Sequence, residues 1–89
     1  MVYLITYDLR VPGQNYFGLH QRIKSVCPNW IKPCESFWLV STTLTAEQLA
    51  NQLNELDSTD KLIVLGVKQP GHVKGILNSD IHWMNSNIQ

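Results

Sequence analysis

Six segments with the hydrophobic patterns of strands and helices follow one another in the order strand, helix, strand, strand, helix, strand. Apolar runs rich in β-branched and aromatic residues predict the strands at 2–7, 30–32, 36–41 and 61–67. Apolar residues at helical spacing predict one helix over 15–27, capped by Asn15, and a second after a cap at Thr45. A chain of 89 residues forms a single domain, so the six segments must share one core.

The connections between these segments are short, and each predicted helix carries a single apolar stripe. Two right-handed crossovers of this kind predict an α+β fold, namely a ferredoxin-like βαββαβ sandwich with an antiparallel sheet and both helices on one face. We expect this core to span residues 1–68, followed by a C-terminal extension over residues 69–89. Within the extension we expect a short strand at 73–77 and a last helix capped by Asn78 or Ser79.

Local signals assign positions to some of these elements. Pro33 has no backbone N–H for an interior ladder, so it predicts an edge position for the preceding strand. The aromatic strand at 36–41 is expected to be central. Thr45 and Gln48 have the spacing of a capping box at the start of the second helix. The uninterrupted apolar run at 61–67 predicts a buried strand.

The charge balance limits the functions that this chain can serve. Seven basic and seven acidic residues give a net charge of zero, which argues against a protein that coats nucleic acid by bulk electrostatics. The charges are segregated, since residues 9–34 contain four cations and no acid, while residues 35–60 contain five acids and no Lys or Arg. This pattern indicates either one basic and one acidic face or an ordinary solvated surface.

The two cysteines and the N-terminal segment indicate the compartment. Cys27 and Cys34 lack the spacing of a zinc-binding quartet or of a CxxC motif. A disulfide between the two cysteines remains an alternative, but two reduced thiols packed inside the protein fit this chain better. The N-terminus lacks a basic region followed by a long apolar stretch, so we expect neither a secretory signal nor a transmembrane span. We therefore expect a soluble cytoplasmic protein with no membrane partner.

Asp8 closes the first predicted strand and precedes a turn-rich stretch, which makes it the main candidate for catalysis and metal binding. In a symmetric homodimer Asp8 would occur twice. Two such carboxylates could share Mg²⁺, which favours oxygen ligands and could orient a water molecule toward a phosphodiester. The structural alternative is that Asp8 caps the following loop or pairs with Arg10.

Three cations and one serine complete the set of candidate site residues. Arg10, Arg22 and Lys24 could contact nucleic-acid phosphates, or they could simply solubilise an exposed helix face. Ser36 stands just before the central strand with no base near it in the sequence, so its surroundings do not predict a nucleophile. His20 lies near the apolar stripe of the first helix and is therefore expected to be half-buried. No two histidines have the spacing of metal ligands, so we do not expect a zinc site.

Two short motifs resemble a known family. Thr6-Tyr7-Asp8-Leu9 resembles the Tyr-Asp signature of the CRISPR-associated protein two family, and Ser36-Phe37-Trp38-Leu39-Val40 resembles its serine-led third strand. The resemblance covers about residues 1–68, is closest to a stand-alone SinR-like branch, and extends more distantly to virulence-associated protein D, a ribonuclease toxin. It implies a ferredoxin-like fold and a homodimer with paired aspartates at its centre. It also gives Asp8 a catalytic and metal-binding role and Ser36 a supporting one.

The resemblance leads to a first hypothesis and leaves two alternatives open. The first is a Cas-two-like homodimer that interacts with nucleic acid and acts at Asp8 as a Mg²⁺-dependent ribonuclease or deoxyribonuclease. The second is a non-catalytic dimeric module, structural or part of a toxin–antitoxin or defence system, in which Asp8 is structural. The third is a small-ligand sensor. The chain departs from the family at Val11-Pro12-Gly13, where members often carry basic and polar residues, and in its neutral charge.

Overall fold

The computed structural model describes residues 1–8, 16–53 and 60–89 of the chain. The elements in chain order are β1 (Val2–Asp8), α1 (Tyr16–Val26), β2 (Trp30–Cys34), β3 (Phe37–Ser41), α2 (Ala46–Gln52), β4 (Lys61–Val67) and α3 (Asn78–Asn87). The predicted order of the six core segments is therefore confirmed. The predicted cap at Asn15 lies outside the described residues.

The four strands form one antiparallel sheet in the order β2-β3-β1-β4. Leu4 in β1 lies opposite Leu39 of β3 on one side and Leu65 of β4 on the other. The sheet places β3 and β1 in the centre and β2 and β4 at the edges. The edge position predicted from Pro33 and the central position predicted for β3 are both confirmed, and the fold is α+β.

The main hydrophobic core lies between the sheet and the helices α1 and α2. Alternate residues of β1 face this core, because successive side chains of a strand point to opposite faces. Tyr3, Ile5 and Tyr7 are buried there, and Trp38 of β3 is fully buried beside them. The rest of this cluster consists of Leu19, Ile23, Cys27, Val40, Leu49 and Leu53.

Among the described residues, α3 covers one end of the opposite side of the sheet. The half-buried side chains of Trp83, Met84 and Ile88 pack there against a small second cluster of Val2, Ile31 and Leu39. The remainder of this side is called the open face below, and it comprises Thr6, Ile63 and Leu65. On it, Ile63 is 50% exposed and Leu65 is 55% exposed.

The exposure of the open face corrects the prediction for the last core strand. The strand exists with the predicted bounds, but it is not buried. Within residues 1–8, 16–53 and 60–89, its one strand partner is β1, and Leu62 and Val64 are its side chains that pack against the main core. An uninterrupted apolar run of this length predicts a strand that is buried on both faces. An edge strand of an antiparallel sheet, however, can leave one of its faces uncovered.

The C-terminal extension differs from its prediction at two points. The strand predicted at 73–77 is wrong, since these residues contain no strand, and Val73 and Leu77 are exposed. The cap predicted at Asn78 or Ser79 is also wrong. Both residues lie inside α3, whose N-cap is Leu77, a residue with no side-chain hydrogen bond to the helix.

Side-chain hydrogen bonds fasten α3 to the start of β2. Trp83 Nε1 donates to Asn29 Oδ1 at 2.8 Å, and Asn29 Nδ2 donates to Asn87 Oδ1 at 3.1 Å. At the end of the chain, the backbone N–H of Gln69 donates to the carbonyl of Gln89 at 2.8 Å. Asn29 therefore links β2 to two successive turns of α3.

The helix α2 begins at the capping box that the sequence predicts. The backbone N–H of Gln48 donates to Thr45 Oγ1 at 3.1 Å, and the backbone N–H of Thr45 donates to Gln48 Oε1 at 2.9 Å. At the other end, Arg22 of α1 donates from Nε to the Gln52 carbonyl at 2.8 Å. Its Nη2 donates to Gln52 Oε1 at 3.1 Å, so one arginine joins the two helices.

Both cysteines are free thiols. Cys27 is buried in the main core, as expected for a packed thiol, whereas Cys34 is exposed at the end of β2. Among the described residues, every helix is too short or too polar to cross a lipid bilayer.

Candidate functional site

Asp8 lies exposed at the C-terminal end of β1. Strand alternation puts its side chain on the same side of the sheet as Leu4 and Thr6, and thus beside the open face. Lys61 of β4 is its cross-strand partner. Two residues of opposite charge are therefore neighbours in the register at this end of the sheet.

Of the three cations predicted to contact nucleic acid, the two that the structure describes lie away from Asp8. Arg10 lies outside the described residues. Arg22 and Lys24 belong to α1, on the other side of the sheet, and both already have partners. Arg22 holds the end of α2, and the Lys24 ammonium lies 5.1 Å from the centroid of the Trp30 ring.

The described residues of a single chain do not form a metal cage. No three His, Cys, Asp or Glu side chains among residues 1–8, 16–53 and 60–89 come close enough together to hold a metal ion. Mg²⁺ commonly keeps several waters and uses only one or two carboxylates. A Mg²⁺ ion at Asp8 would need further ligands beyond the described residues of one chain.

A separate polar group lies on the helix side of the sheet, centred on the hydroxyl of Tyr7. Tyr7 Oη lies 2.6 Å from Nε2 of His20 in α1. The indole Nε1 of the buried Trp38 donates to the same oxygen at 3.1 Å. One buried hydroxyl thus joins residues from β1, α1 and β3.

Ser36 has an unusual backbone conformation. Its φ angle is +55°, and it is the one non-glycine residue with a positive φ in the described part of the chain. The residue sits in the tight turn between β2 and β3, next to an irregular pairing at Ile31 and Cys34. The left-handed region costs a residue with a Cβ atom about 1–2 kcal/mol.

The surroundings shift the pKa values of Tyr7 and His20 in opposite directions. Burial raises the pKa of Tyr7 above 10.0, although the hydrogen bond from Trp38 and the nearby side chain of Ser36 oppose this shift. Burial lowers the pKa of His20 below 6.5, and the charges of Lys32 and Lys24 lower it further. Both groups are therefore neutral at pH 7, with the phenol protonated and the imidazole able to accept a proton.

These side chains line a surface hollow of about 600 Å³, which is called the Ser36 hollow below. Its walls are formed by Tyr7, Tyr16, His20, Lys32, Glu35 and Ser36. The hollow contains two phenols, an imidazole, an alcohol and one charge of each sign. This combination can bind a compact organic molecule and move a proton.

Sequence reasoning identified the residues of the Ser36 hollow only in part. Ser36 was a candidate without a base, and His20 was expected to be half-buried, which is confirmed. The contact between Tyr7 and His20 was missed because the two residues belong to different elements. The available signal was Tyr7 at an inward strand position together with a histidine next to the buried Leu19.

No family model matches this chain, no curated protein matches its sequence, and no solved structure matches its fold.

Proposed function

We propose that this chain acts as a homodimer with a Cas-two-like, ferredoxin-like fold, which contacts nucleic acid and cleaves it with Mg²⁺ held at Asp8. One observation carries this proposal: Asp8 lies at the border of an apolar sheet surface on which Ile63 and Leu65 are about half exposed among the described residues. A surface of this kind favours a partner, and a second copy of the chain would bring a second Asp8 with it.

The arrangement of the elements supports the ferredoxin-like fold. The strand order β2-β3-β1-β4 is antiparallel throughout, and the crossovers through α1 and α2 both return on the same side of the sheet. The resemblance of Thr6-Tyr7-Asp8-Leu9 to the Tyr-Asp signature supports the Cas-two-like assignment.

The register of β1 and β4 limits which two-fold axes could bring two Asp8 residues together in the proposed dimer. Thr6 is opposite Ile63, and Asp8 is two residues further along β1, which is about 7 Å. Two groups related by a two-fold axis lie twice as far from each other as from the axis, so a shared cation requires an axis that passes beside Asp8 itself. Lys61, opposite Asp8, would then stand where it can contact a phosphate oxygen of a bound strand.

The dimer is tested by sedimentation velocity on the wild type and on Leu65→Lys. We expect the wild type to sediment as a dimer and the variant as a folded monomer, because the charge would have to be buried at the interface. Phe17→Lys is the matched control, since Phe17 is 76% exposed on α1, away from the open face. A wild type that stays monomeric at high concentration contradicts the proposal.

The chemistry is tested by cleavage of RNA and of single- and double-stranded DNA with Mg²⁺ present. We expect Asp8→Asn to abolish cleavage, while Glu47→Gln, which changes an exposed acid on α2, leaves it unchanged. Equal cleavage by the wild type and Asp8→Asn, or cleavage by neither, would contradict the proposed nuclease activity at Asp8. Binding is measured separately, and its affinity should fall steeply with rising salt if the protein contacts phosphates.

A second candidate function is a non-catalytic dimeric module of a toxin–antitoxin or defence system. The observation that favours it is Lys61, which lies opposite Asp8 and can neutralise the carboxylate without a metal. In this case the dimer persists without cleavage, and Asp8→Asn lowers stability only slightly, by about 0.2–1 kcal/mol for an exposed pair.

A further inference from the structure

We propose that the Ser36 hollow binds a free α-amino acid with an apolar side chain. The hollow lies on the helix side of the sheet, whereas Asp8 lies on the other side. The inference therefore does not depend on the proposed nuclease or on the dimer.

The contact between Tyr7 and His20 leaves one hydrogen for a bound molecule. The Tyr7 hydroxyl and the two ring nitrogens of His20 together carry two hydrogens when both groups are neutral. The contact of 2.6 Å between Tyr7 Oη and His20 Nε2 uses one of them. Trp38 Nε1 can only donate to the same oxygen, so it does not accept the other. The hydrogen bonds among the described residues give this second hydrogen no acceptor.

An acceptor atom of a ligand in the hollow would take this second hydrogen. The hydrogen lies on His20 Nδ1 if Tyr7 donates to Nε2, and on Tyr7 Oη if Nε2 donates to Tyr7. Both residues line the hollow, so either arrangement offers a donor there. A carboxylate oxygen gains most from such a donor, because hydrogen bonds to an ionised acceptor are shorter and stronger than those between neutral groups.

Two side chains of opposite charge line the hollow close to this donor. Lys32 belongs to β2, and Glu35 lies in the turn between β2 and β3. In addition to burial, the charge of Lys32 lowers the pKa of His20. In addition to burial, the charge of Glu35 raises the pKa of Tyr7. Both charges therefore act on the groups that a bound carboxylate would contact.

This pair of charges favours a ligand that carries both signs. A simple anion would be attracted by Lys32 and repelled by Glu35, and a simple amine would experience the reverse. A zwitterion can direct its carboxylate toward Lys32 and its ammonium group toward Glu35. A polyphosphate would require an excess of positive charge, which the described lining lacks.

Aromatic rings beside these charges provide a surface for an apolar side chain. Tyr16 is the first residue of α1, and its ring centroid lies 5.9 Å from that of Tyr7 and 6.1 Å from that of His20. The Tyr16 ring is half-buried and lines the hollow, so part of it remains open to a ligand. A hollow of about 600 Å³ has the size of a small-molecule site. An amino acid with an aliphatic or aromatic side chain fits these walls.

The first test follows the backbone amide shifts of the wild type by NMR while L-phenylalanine or L-leucine is added. We expect shifts at the turn between β2 and β3 and at the start of α1, with the amides of α3 unchanged. 3-Phenylpropionate lacks the ammonium group, and 2-phenylethylamine lacks the carboxylate. Each should bind about tenfold more weakly than L-phenylalanine, because each loses one hydrogen bond to a charged group.

The second test removes the two charges of the hollow one at a time. Glu35→Gln should weaken the binding of L-phenylalanine about tenfold without weakening that of 3-phenylpropionate. Lys32→Gln should weaken the binding of both molecules, because both carry the carboxylate. Glu47→Gln and Lys74→Gln change exposed charges outside the hollow and should bind L-phenylalanine as the wild type does.

Three results would overturn the proposal. The first is that neither amino acid binds to the wild type at millimolar concentration. The second is that 3-phenylpropionate or 2-phenylethylamine binds as tightly as L-phenylalanine, which would show that a single charge is recognised. The third is a set of shifts centred away from the hollow. All three are measured on the wild type, so they do not depend on whether any variant folds.

Discussion

The Tyr7 hydroxyl lies 2.6 Å from His20 Nε2 and joins β1 to α1 across the helix side of the sheet. The same oxygen accepts from Trp38 Nε1, so a single phenol satisfies the polar atom of a fully buried indole. This relationship gives Tyr7 a role in stability whether or not the hollow beside it binds a ligand.

Tyr7→Phe should therefore destabilise the protein by about 1–3 kcal/mol, the usual cost of a buried donor left without an acceptor. Urea unfolding monitored by circular dichroism measures this change in the free energy of unfolding. Tyr16→Phe is the matched control, because Tyr16 is half-buried and contacts Tyr7 only through its ring, with centroids 5.9 Å apart. We expect the control to change stability by less than about 0.5 kcal/mol. Equal effects of the two substitutions would show that the Tyr7 hydroxyl contributes nothing.

His20 should make the stability depend on pH in the weakly acidic range. Its pKa is lowered in the folded protein, so the unfolded chain binds a proton first as the pH falls below 6.5. The His20 contribution is fully present above pH 6.5 and is lost as the pH falls toward the folded pKa. Urea unfolding over a pH series in wild type and in His20→Gln measures it.

The variant should lose the part of this pH dependence that comes from His20. His82→Gln is the control, since His82 is exposed on α3, and it should keep the wild-type dependence. The groups with charges near the imidazole are Lys24 of α1 and Lys32 of β2. A pH dependence that persists unchanged in His20→Gln would contradict the expected cause.

The capping box should make Thr45 the most sensitive exposed threonine among those described. Thr45→Ala removes the oxygen that accepts the Gln48 N–H, and this loss should cost about 1 kcal/mol. Thr43→Ala changes an exposed threonine just before the helix and should cost less than about 0.5 kcal/mol. Denaturant midpoints of the two variants provide the comparison. If the two midpoints coincide, the cap does not stabilise α2.

Asn29→Ala should loosen α3 without unfolding the rest of the protein. The substitution removes one hydrogen bond to Trp83 and one to Asn87, both at the protein surface. A loss of about 1 kcal/mol corresponds to a roughly fivefold faster hydrogen exchange of the α3 amides. The amides of α1 should exchange as in wild type. Asn51→Ala, a change at an exposed residue of α2, should leave α3 unaffected. Faster exchange throughout the chain would instead indicate that α3 and the core unfold together.

The order of the core elements could be predicted because it depends on local periodicity. Inward residues such as Leu19 and Ile23 recur at helical spacing, and Thr45 with Gln48 marks the start of α2 by a contact over three residues. Pro33 predicted that β2 is an edge strand because proline has no backbone N–H to donate to a neighbouring strand. Each of these features is determined by residues that lie within a short stretch of the sequence.

Apart from the cap of α3, which is a local error, the errors and omissions concern contacts between distant segments. Nothing near Ile63 or Leu65 in the sequence indicates that these side chains are about half exposed. The segment at 73–77 has a strand-like composition, but it forms no strand in the folded protein. Likewise, the environment of Ser36 depends on a crossover that brings His20 beside Tyr7, which only the assembled fold produces.

Cys34 lies two residues before Ser36 in the chain, at the exposed end of β2, while the other thiol, Cys27, is buried. A maleimide dye should therefore attach to the native protein at a single position, near the mouth of the hollow. Its emission would report on molecules entering the hollow without any engineered residue. A dye that also reacted with Cys27 would reveal transient opening between α1 and the sheet.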